Sequence, residues 1–495
     1  MKFVLAANQK KNKTAIVSKN NRYSYQTLFD ESVSFAAHLL ISGEDLCQER
    51  VAFMVDPGFE YVKVQWGIWL AGGVAVPLYL SHPLPSLQYV IEDTAASVVV
   101  VSPNYKSLLE PLSKELGIRL IDLNELSESA HVSLPDVSDS RDAMILYTSG
   151  TTNKPKGVVT THANINAQIN SLLTAWEWNS SDHILCVLPL HHVHGIINVV
   201  CCSLAAGATC EFIDEFSPES IFSLFQQGQI NLFMAVPTIY YKLINYWEGL
   251  SADMQAKLSD SMKAFRLMVS GSAALPVSIM HKWEKISGHV LLERYGMTEI
   301  GMAISNPYRG ERKAGFVGLP LPGVQIKLAD DLYNEVTNNQ PGEIIVKGPT
   351  VFSRYWQRPE ATAESFTENG WFKTGDIAET EGGYYRILGR SSVDIIKSGG
   401  YKISALEIEE ALRSYDDISD CAVVGIDDDE WGELIVACLV LEKQLSDNSF
   451  DIEALDSWIK GKIAPYKRPR RYLVVEELPR NAMGKVVKNE VKKLF

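Results

Sequence analysis

The chain has 495 residues, 46% of them hydrophobic, and a formal net charge of −14. That length exceeds one ordinary core, so two or more domains are expected. The acidic balance excludes nonspecific nucleic-acid binding, or an anionic membrane surface, as the main role, so any nucleotide must be met by local basic loops.

The start of the chain is charged, but its apolar stretch, Phe3 to Ala7, is too short for a signal peptide. Strand-like and helix-like runs then alternate. Tyr25 to Ile41 reads as a helix, Val51 to Val55 as a strand, Phe59 to Ala71 as a helix and Val74 to Leu80 as a strand. Leu87 to Ala96, Val98 to Val101, Tyr105 to Leu116 and Leu120 to Leu123 repeat the pattern. It resumes from Ile184 to Leu188 and runs on to Val290 to Leu292. Alternation on this scale predicts an α/β fold of doubly wound, mainly parallel sheets, with ligands beyond the carboxyl ends of the strands. The longest apolar run, Gly195 to Ala208, contains Asn198 and falls short of a membrane span, so a buried helix is expected and no integral membrane segment. Gly315 to Trp356 is punctuated by Gly and Pro and predicts a small β-rich subdomain. A junction falls near Gly389 to Ser392, which divides the chain into residues 1–389 and a smaller mobile α+β domain, residues 390–495. Seven cysteines, at 47, 186, 201, 202, 210, 421 and 438, form no CxxC pair. Most lie in apolar runs, as reduced buried thiols of a cytoplasmic protein would.

The chemistry centres on Tyr147-Thr148-Ser149-Gly150-Thr151-Thr152-Asn153-Lys154-Pro155-Lys156-Gly157, set between two strand-like runs. Hydroxyls, lysines and glycines in one loop suit phosphate oxygens. The spacing is not that of the GxxxxGK[ST] loop, and a polar hairpin turn is the plain alternative. Further motifs follow in order: Arg294-Tyr295-Gly296-Met297-Thr298-Glu299, Lys373-Thr374-Gly375-Asp376, Gly389-Arg390, Ser398-Gly399-Gly400-Tyr401 and Pro479-Arg480-Asn481-Ala482-Met483-Gly484-Lys485.

This series resembles the adenylate-forming superfamily of acyl-CoA synthetases, peptide-synthetase adenylation domains and firefly-type luciferases. The resemblance spans nearly the whole chain. It implies attack of a carboxylate on the α-phosphate of ATP, then transfer of the acyl group from AMP to the thiol of CoA. By resemblance, Thr148, Ser149, Gly150, Thr151, Thr152 and Lys156 hold the β- and γ-phosphates. Thr298 meets the α-phosphate, and Glu299 binds Mg²⁺, a hard cation suited to one carboxylate plus substrate oxygens. Taken alone, Glu299 would be a solvated acid at a helix start. Tyr295 is expected on the adenine, with Ser272, Ala273 and Ala274 lining that pocket, and Asp376 on the ribose hydroxyls. Arg390 resembles a second ribose or phosphate contact, with an interdomain salt bridge as its competitor. Lys485 resembles the lysine that bridges carboxylate and phosphate during adenylation.

Between half-reactions the family rotates its C-terminal domain, withdrawing the lysine and presenting a loop that matches Gly399, Gly400, Tyr401 and Lys402 to CoA. The run Arg390 to Lys397 is one residue longer than usual, which leaves the hinge residue open. Lys467, Arg468, Arg470 and Arg471 are candidates for the CoA 3′-phosphate, or simply a solvated basic face. Among His191, His192 and His194, His192 is expected to wall the acyl site; metal binding is discounted for want of partners. Arg294 lies beside that site, where a second substrate carboxylate would explain it. The phrases around Arg266 to Pro276, Leu292 to Ala303 and Ser392 to Lys402 resemble malonyl-CoA synthetases, although Lys242 stands where some bacterial members carry a second arginine. The resemblance thus implies an ATP-, Mg²⁺- and CoA-using ligase for malonate or methylmalonate. The rivals are a medium- or long-chain fatty acyl-CoA ligase, an enzyme loading a carrier protein, and a nonenzymatic nucleotide sensor. A simple pairing of Arg294 with Glu293 or another acid of the wall is the bland alternative for that arginine.

Overall fold

A computed structural model describes residues 2–7, 10–40, 43–126, 133–148, 154–213, 215–336, 340–442, 450–481 and 484–495. The expected layering is present. A seven-stranded sheet holds five parallel strands, Arg50–Met54, Val74–Pro77, Val98–Val101, Arg119–Asp122 and Asp142–Thr148. Lys156–Thr161 and Arg354–Tyr355 extend it antiparallel. A nine-stranded sheet is parallel from Leu292–Met297 through Leu267–Ser270, Leu232–Ala235, His183–Cys186 and Thr209–Phe212 to Thr14–Ser18. Val98–Val101 is buried on both faces, as a central strand between helical layers must be.

The His194-bearing run is a π-helix, His194–Cys201, continued by the α-helix Cys202–Ala206, so the expected buried helix is wound more loosely than read. The β-rich part reaches further along the chain than Trp356. Its four antiparallel strands are Gln325–Ala329, Gly342–Lys347, Phe372–Glu381 and Tyr384–Arg390. Beyond them a five-stranded sheet, Ile395–Ser398, Tyr401–Ser404, Ile418–Asp428, Gly432–Leu441 and Arg471–Val474, carries its own buried cluster with the helices Ala405–Arg413 and Ile452–Ile459. Glu410 of this C-terminal part accepts the Val277 backbone N–H at 3.0 Å, which satisfies an otherwise unpaired donor at the start of the helix Val277–Ser287. No helix among the described residues is long and apolar enough to cross a membrane.

Candidate active site

The strand Leu292–Met297 does not run into a helix. It turns over Thr298, Glu299 and Ile300 and returns antiparallel as Gly301–Ser305. Glu299 is therefore no solvated helix-start acid: it is 6% exposed. Its Oε1 accepts from Tyr355 Oη at 2.9 Å, and its backbone carbonyl accepts from Phe352 N–H at 2.7 Å. Burial raises the Glu299 carboxyl above the usual carboxylate range. The ammonium of Lys156 lies 5.1 Å from the centre of the Tyr355 ring, so the loop lysine and the buried carboxylate share one neighbour.

Asp142–Thr148 and Lys156–Thr161 pair antiparallel, with Thr148 opposite Lys156, as a hairpin flanking the threonine loop. Ser149, Gly150, Thr151 and Thr152 lie outside the described residues. The loop's base is anchored by Tyr147 Oη donating to Asp93 at 2.5 Å and Tyr89 Oη donating to the Pro155 carbonyl at 2.9 Å.

On the nucleotide side, Tyr295 Oη donates to Asp376 Oδ2 at 2.6 Å, and Arg390 Nε donates to Asp376 Oδ1 at 3.0 Å. Asp376 and Arg390 are paired across neighbouring strands. The Arg390 ion pair thus joins adjacent strands of the β-rich sheet, across the boundary expected between residues 389 and 390. Ser272, held at φ +70, begins the loop after Leu267–Ser270, on which Ala273 and Ala274 are exposed.

The acid side looks different. Arg294 is 3% exposed and forms no ion pair among the described residues. Its Nη2 donates to Ser272 Oγ at 3.2 Å, and its Nε has no partner among the described residues. Glu293 forms no ion pair with it within 4 Å, although each feels the other's charge. Consecutive strand residues point to opposite faces, and Glu293 instead accepts from the Leu275 N–H at 3.2 Å. Burial pulls the Arg294 guanidinium down to about 9 and pushes the Glu293 carboxyl up to about 8. Ser272 Oγ also lies 3.1 Å from His194 Nδ1. Burial lowers His192 to about 4 and His191 to about 2, so both rings are neutral near pH 7. His191 packs between Tyr79 and His192, and no metal-holding group of three His, Cys, Asp or Glu occurs among the described residues.

Lys485 reaches this cleft from the far end of the chain. Its ammonium is lowered by desolvation and by Arg390, with Asp376 opposing and Arg294 adding to the shift, and its charge is felt at His192. The side chain remains solvent-accessible between those walls. Its loop is shaped by Asn481, whose Oδ1 accepts the Lys485 N–H at 3.0 Å. Gly484, at φ +77, passes beside Thr238.

The structure leaves other expected residues outside the cleft. Lys242 is exposed on the helix Pro237–Glu248 with its ammonium 5.5 Å from the Phe216 ring centre, so it makes no second cationic fork with Arg294. Gly399, Gly400, Tyr401 and Lys402 all face solvent. Tyr401 stacks on Tyr466 at 4.5 Å, and Lys402 pairs with Asp331 at 3.0 Å. Lys467 is bound to Glu407 at 2.7 Å, Arg468 Nε donates to the Pro465 carbonyl at 3.4 Å and Arg470 lies over Trp431 at 3.9 Å, so three of the four basic candidates already have partners.

A model of the AMP-binding enzyme family matches residues 3–356, and one of the AMP-binding enzyme C-terminal domain matches residues 407–485. The chain belongs to the AMP-binding enzymes. It is 43% identical to the mitochondrial malonate–CoA ligase of Homo sapiens, with 97% of this chain and 90% of that protein covered. ATP-bound MatB from Rhodopseudomonas palustris superposes with a TM-score of 0.90 at 30% identity, covering 99% of this chain and 98% of that one. A malonyl-CoA ligase ternary product complex with methylmalonyl-CoA and AMP bound gives a TM-score of 0.69 at 32% identity, covering 95% and 97%.

Proposed function

We propose that this protein is an AMP-forming acid:CoA ligase that acts on malonate or its 2-methyl homologue. One carboxylate of the acid attacks the α-phosphate of ATP and expels pyrophosphate. The CoA thiol then attacks the acyl carbon, loses its proton and expels AMP. The observation that carries the choice of acid is Arg294, a buried guanidinium with no ion-paired carboxylate among the described residues. A fatty chain would leave that charge unanswered, at a cost of several kcal/mol, whereas a second carboxylate answers it. The human relative's name and the MatB likeness support the same choice.

Lys485 is assigned to the reacting carboxylate and the α-phosphate, since it stands within electrostatic reach of Arg294, His192 and Asp376. An ammonium there offsets charge building up in the transition state. Neutral His192 walls the acid, Tyr295 and Asp376 take the nucleoside, and Arg390 steadies Asp376. Thr148 and Lys156, with the Ser149 to Thr152 tip, take the outer phosphates. Glu299 supplies one hard oxygen donor, held in place by Tyr355, a donor set that fits Mg²⁺ completed by phosphate oxygens. When bound, Mg²⁺ neutralises charge on the triphosphate. We assign residues 390–495 to the mobile domain and Gly399 to Lys402 to CoA in a second arrangement. Two observations support an adenylation arrangement here: Lys485 faces the cleft, and the ATP-bound likeness exceeds that to the CoA-product complex. Seven free cysteines, six of them buried, support a reducing compartment, either cytoplasm or the mitochondrial interior of the human relative's name.

A panel of acids assayed for AMP release tests the reading. Malonate is expected to be turned over and octanoate to be ignored; ready octanoate turnover with none on malonate defeats the dicarboxylate choice.

A further inference from the structure

The turn that carries Thr298 and Glu299 rests on a residue with no assigned role. Gln168 lies on the helix His162–Ala175 and is 4% exposed. Its Oε1 accepts the Met302 N–H at 2.6 Å, just past the turn. Gly301 sits at φ +63, and a Cβ there would overlap that same amide oxygen. The amide therefore lies flat against the turn's exit, and only glycine admits it.

The same helix also holds the turn's other side. Thr161 and Asn164 form a capping box, and Asn164 Nδ2 donates to the carbonyls of Pro349 and Val351, each at 2.9 Å. The next residue, Phe352, donates its N–H to the Glu299 carbonyl. One rigid helix thus fixes both ends of the segment from Glu299 to Met302.

Beneath the turn lies a small cavity of about 20 Å³ lined by Thr160, Gln168, Asn198, Thr298 and Thr350, among others. Gln168 Nε2, both side-chain polar atoms of Asn198, and Thr350 Oγ1 have no partner among the described residues, and these residues are 4%, 0% and 4% exposed. Buried amides without partners are costly, and this volume suits one ordered water with several polar contacts. Asn198 belongs to the π-helical run that begins at His194, a looser winding often kept where function needs it.

We propose that Gln168 is a positioning residue for adenylation: with Asn198 and Thr350 it forms a polar footing that sets where Thr298 and Glu299 stand against the phosphates. This rests on the adenylation reading. Gln168 touches no substrate itself; it acts through the Met302 N–H and the turn.

The test compares Gln168→Met, which keeps length and loses the acceptor, with Gln168→Glu, which keeps an acceptor oxygen but buries an acid. Malonate-dependent ATP–pyrophosphate exchange and thermal unfolding are measured for both. Gln168→Met is expected to lower kcat by about tenfold or more while KM for malonate stays within about twofold, because the acid wall is untouched. Gln168→Glu is expected to keep kcat within about threefold of the parent even though its unfolding temperature is the lower of the two. Activity that ranks with stability overturns the proposal, as does unchanged kcat in Gln168→Met. If Gln168→Met does not fold, the proposal stands or falls on whether Gln168→Glu retains exchange. Parent protein that exchanges no pyrophosphate on any acid defeats the adenylation reading; active parent with an unaffected Gln168→Met defeats this proposal alone.

Discussion

Among the groups proposed for the nucleotide, Tyr295, Asp376 and Arg390 satisfy one another at 2.6 and 3.0 Å. Among those proposed for the acid, Arg294 and Lys485 lie near imidazoles that burial keeps neutral, and Arg294 Nε has no partner among the described residues. Both sides take residues from the single strand Leu292–Met297. A wall whose charges are already paired offers shape and hydrogen bonds, and exchanges partners at little electrostatic cost. A wall of unmatched cations selects for the charge of its ligand. On the proposed roles, ATP recognition therefore tolerates a common architecture, whereas the choice of acid is concentrated in a few buried groups.

The largest expected effect falls on Lys485. Lys485→Ala should abolish malonate-dependent ATP–pyrophosphate exchange yet spare thioester formation from preformed malonyl-adenylate. Equal loss in both half-reactions would place Lys485 with the general scaffold and erase its difference from the nucleotide wall.

Next comes Arg294→Leu, for which kcat/KM on malonate should fall by about a hundredfold or more while the KM for ATP changes little. Monocarboxylates should lose far less, since they have no second charge to leave unpaired. A parallel loss on acetate and malonate would show that the guanidinium only shapes the pocket.

The smallest effect concerns Glu293, the strand neighbour that faces away from Arg294. Unfolded, its carboxyl titrates in the ordinary range; folded, burial holds the proton to about 8. Between those values the native state binds more protons than the unfolded chain, so stability falls as pH rises and levels off above about 8. Glu293→Gln removes that slope. Its unfolding temperature should exceed the parent's by on the order of 2 °C near pH 8.5, with the gap closing near pH 5. A gap independent of pH would mean that this carboxyl is not the titrating group.

Much of the architecture could be read before any coordinates. Runs such as Val98 to Val101 are apolar throughout because helices cover both faces, and that pattern survives in a single sequence. The helix Ala252–Met262 is not evident, since only Leu258 and Met262 are buried and the apolar stripe is thin. His162–Ala175 hides for another reason: His162, Gln168 and Ser171 occupy its buried face beside Ile165, Ile169 and Leu172. A glutamine on such a stripe was the available sign of the footing under the turn. The strands Phe372–Glu381 and Tyr384–Arg390 alternate or are only half-buried, a weak signal for a solvated sheet. Motif order foreshadowed the gathering of Tyr295, Asp376, Arg390 and Lys485. Which residues stay outside the cleft is a property of domain placement, and local patterning does not encode it.

Tyr401 and its glycines face solvent while Lys485 lies within electrostatic reach of Arg294, Asp376 and His192, and the division proposed above puts both in residues 390–495. On the proposed roles, that unit can serve only one client at a time. The timetable of the reaction is then written into the backbone: pyrophosphate departs, the unit swings, and only afterwards is a thiol admitted. A kinetic scheme in which CoA binds productively ahead of ATP has no geometry to occupy, and initial-rate patterns should carry that signature whichever acid is supplied.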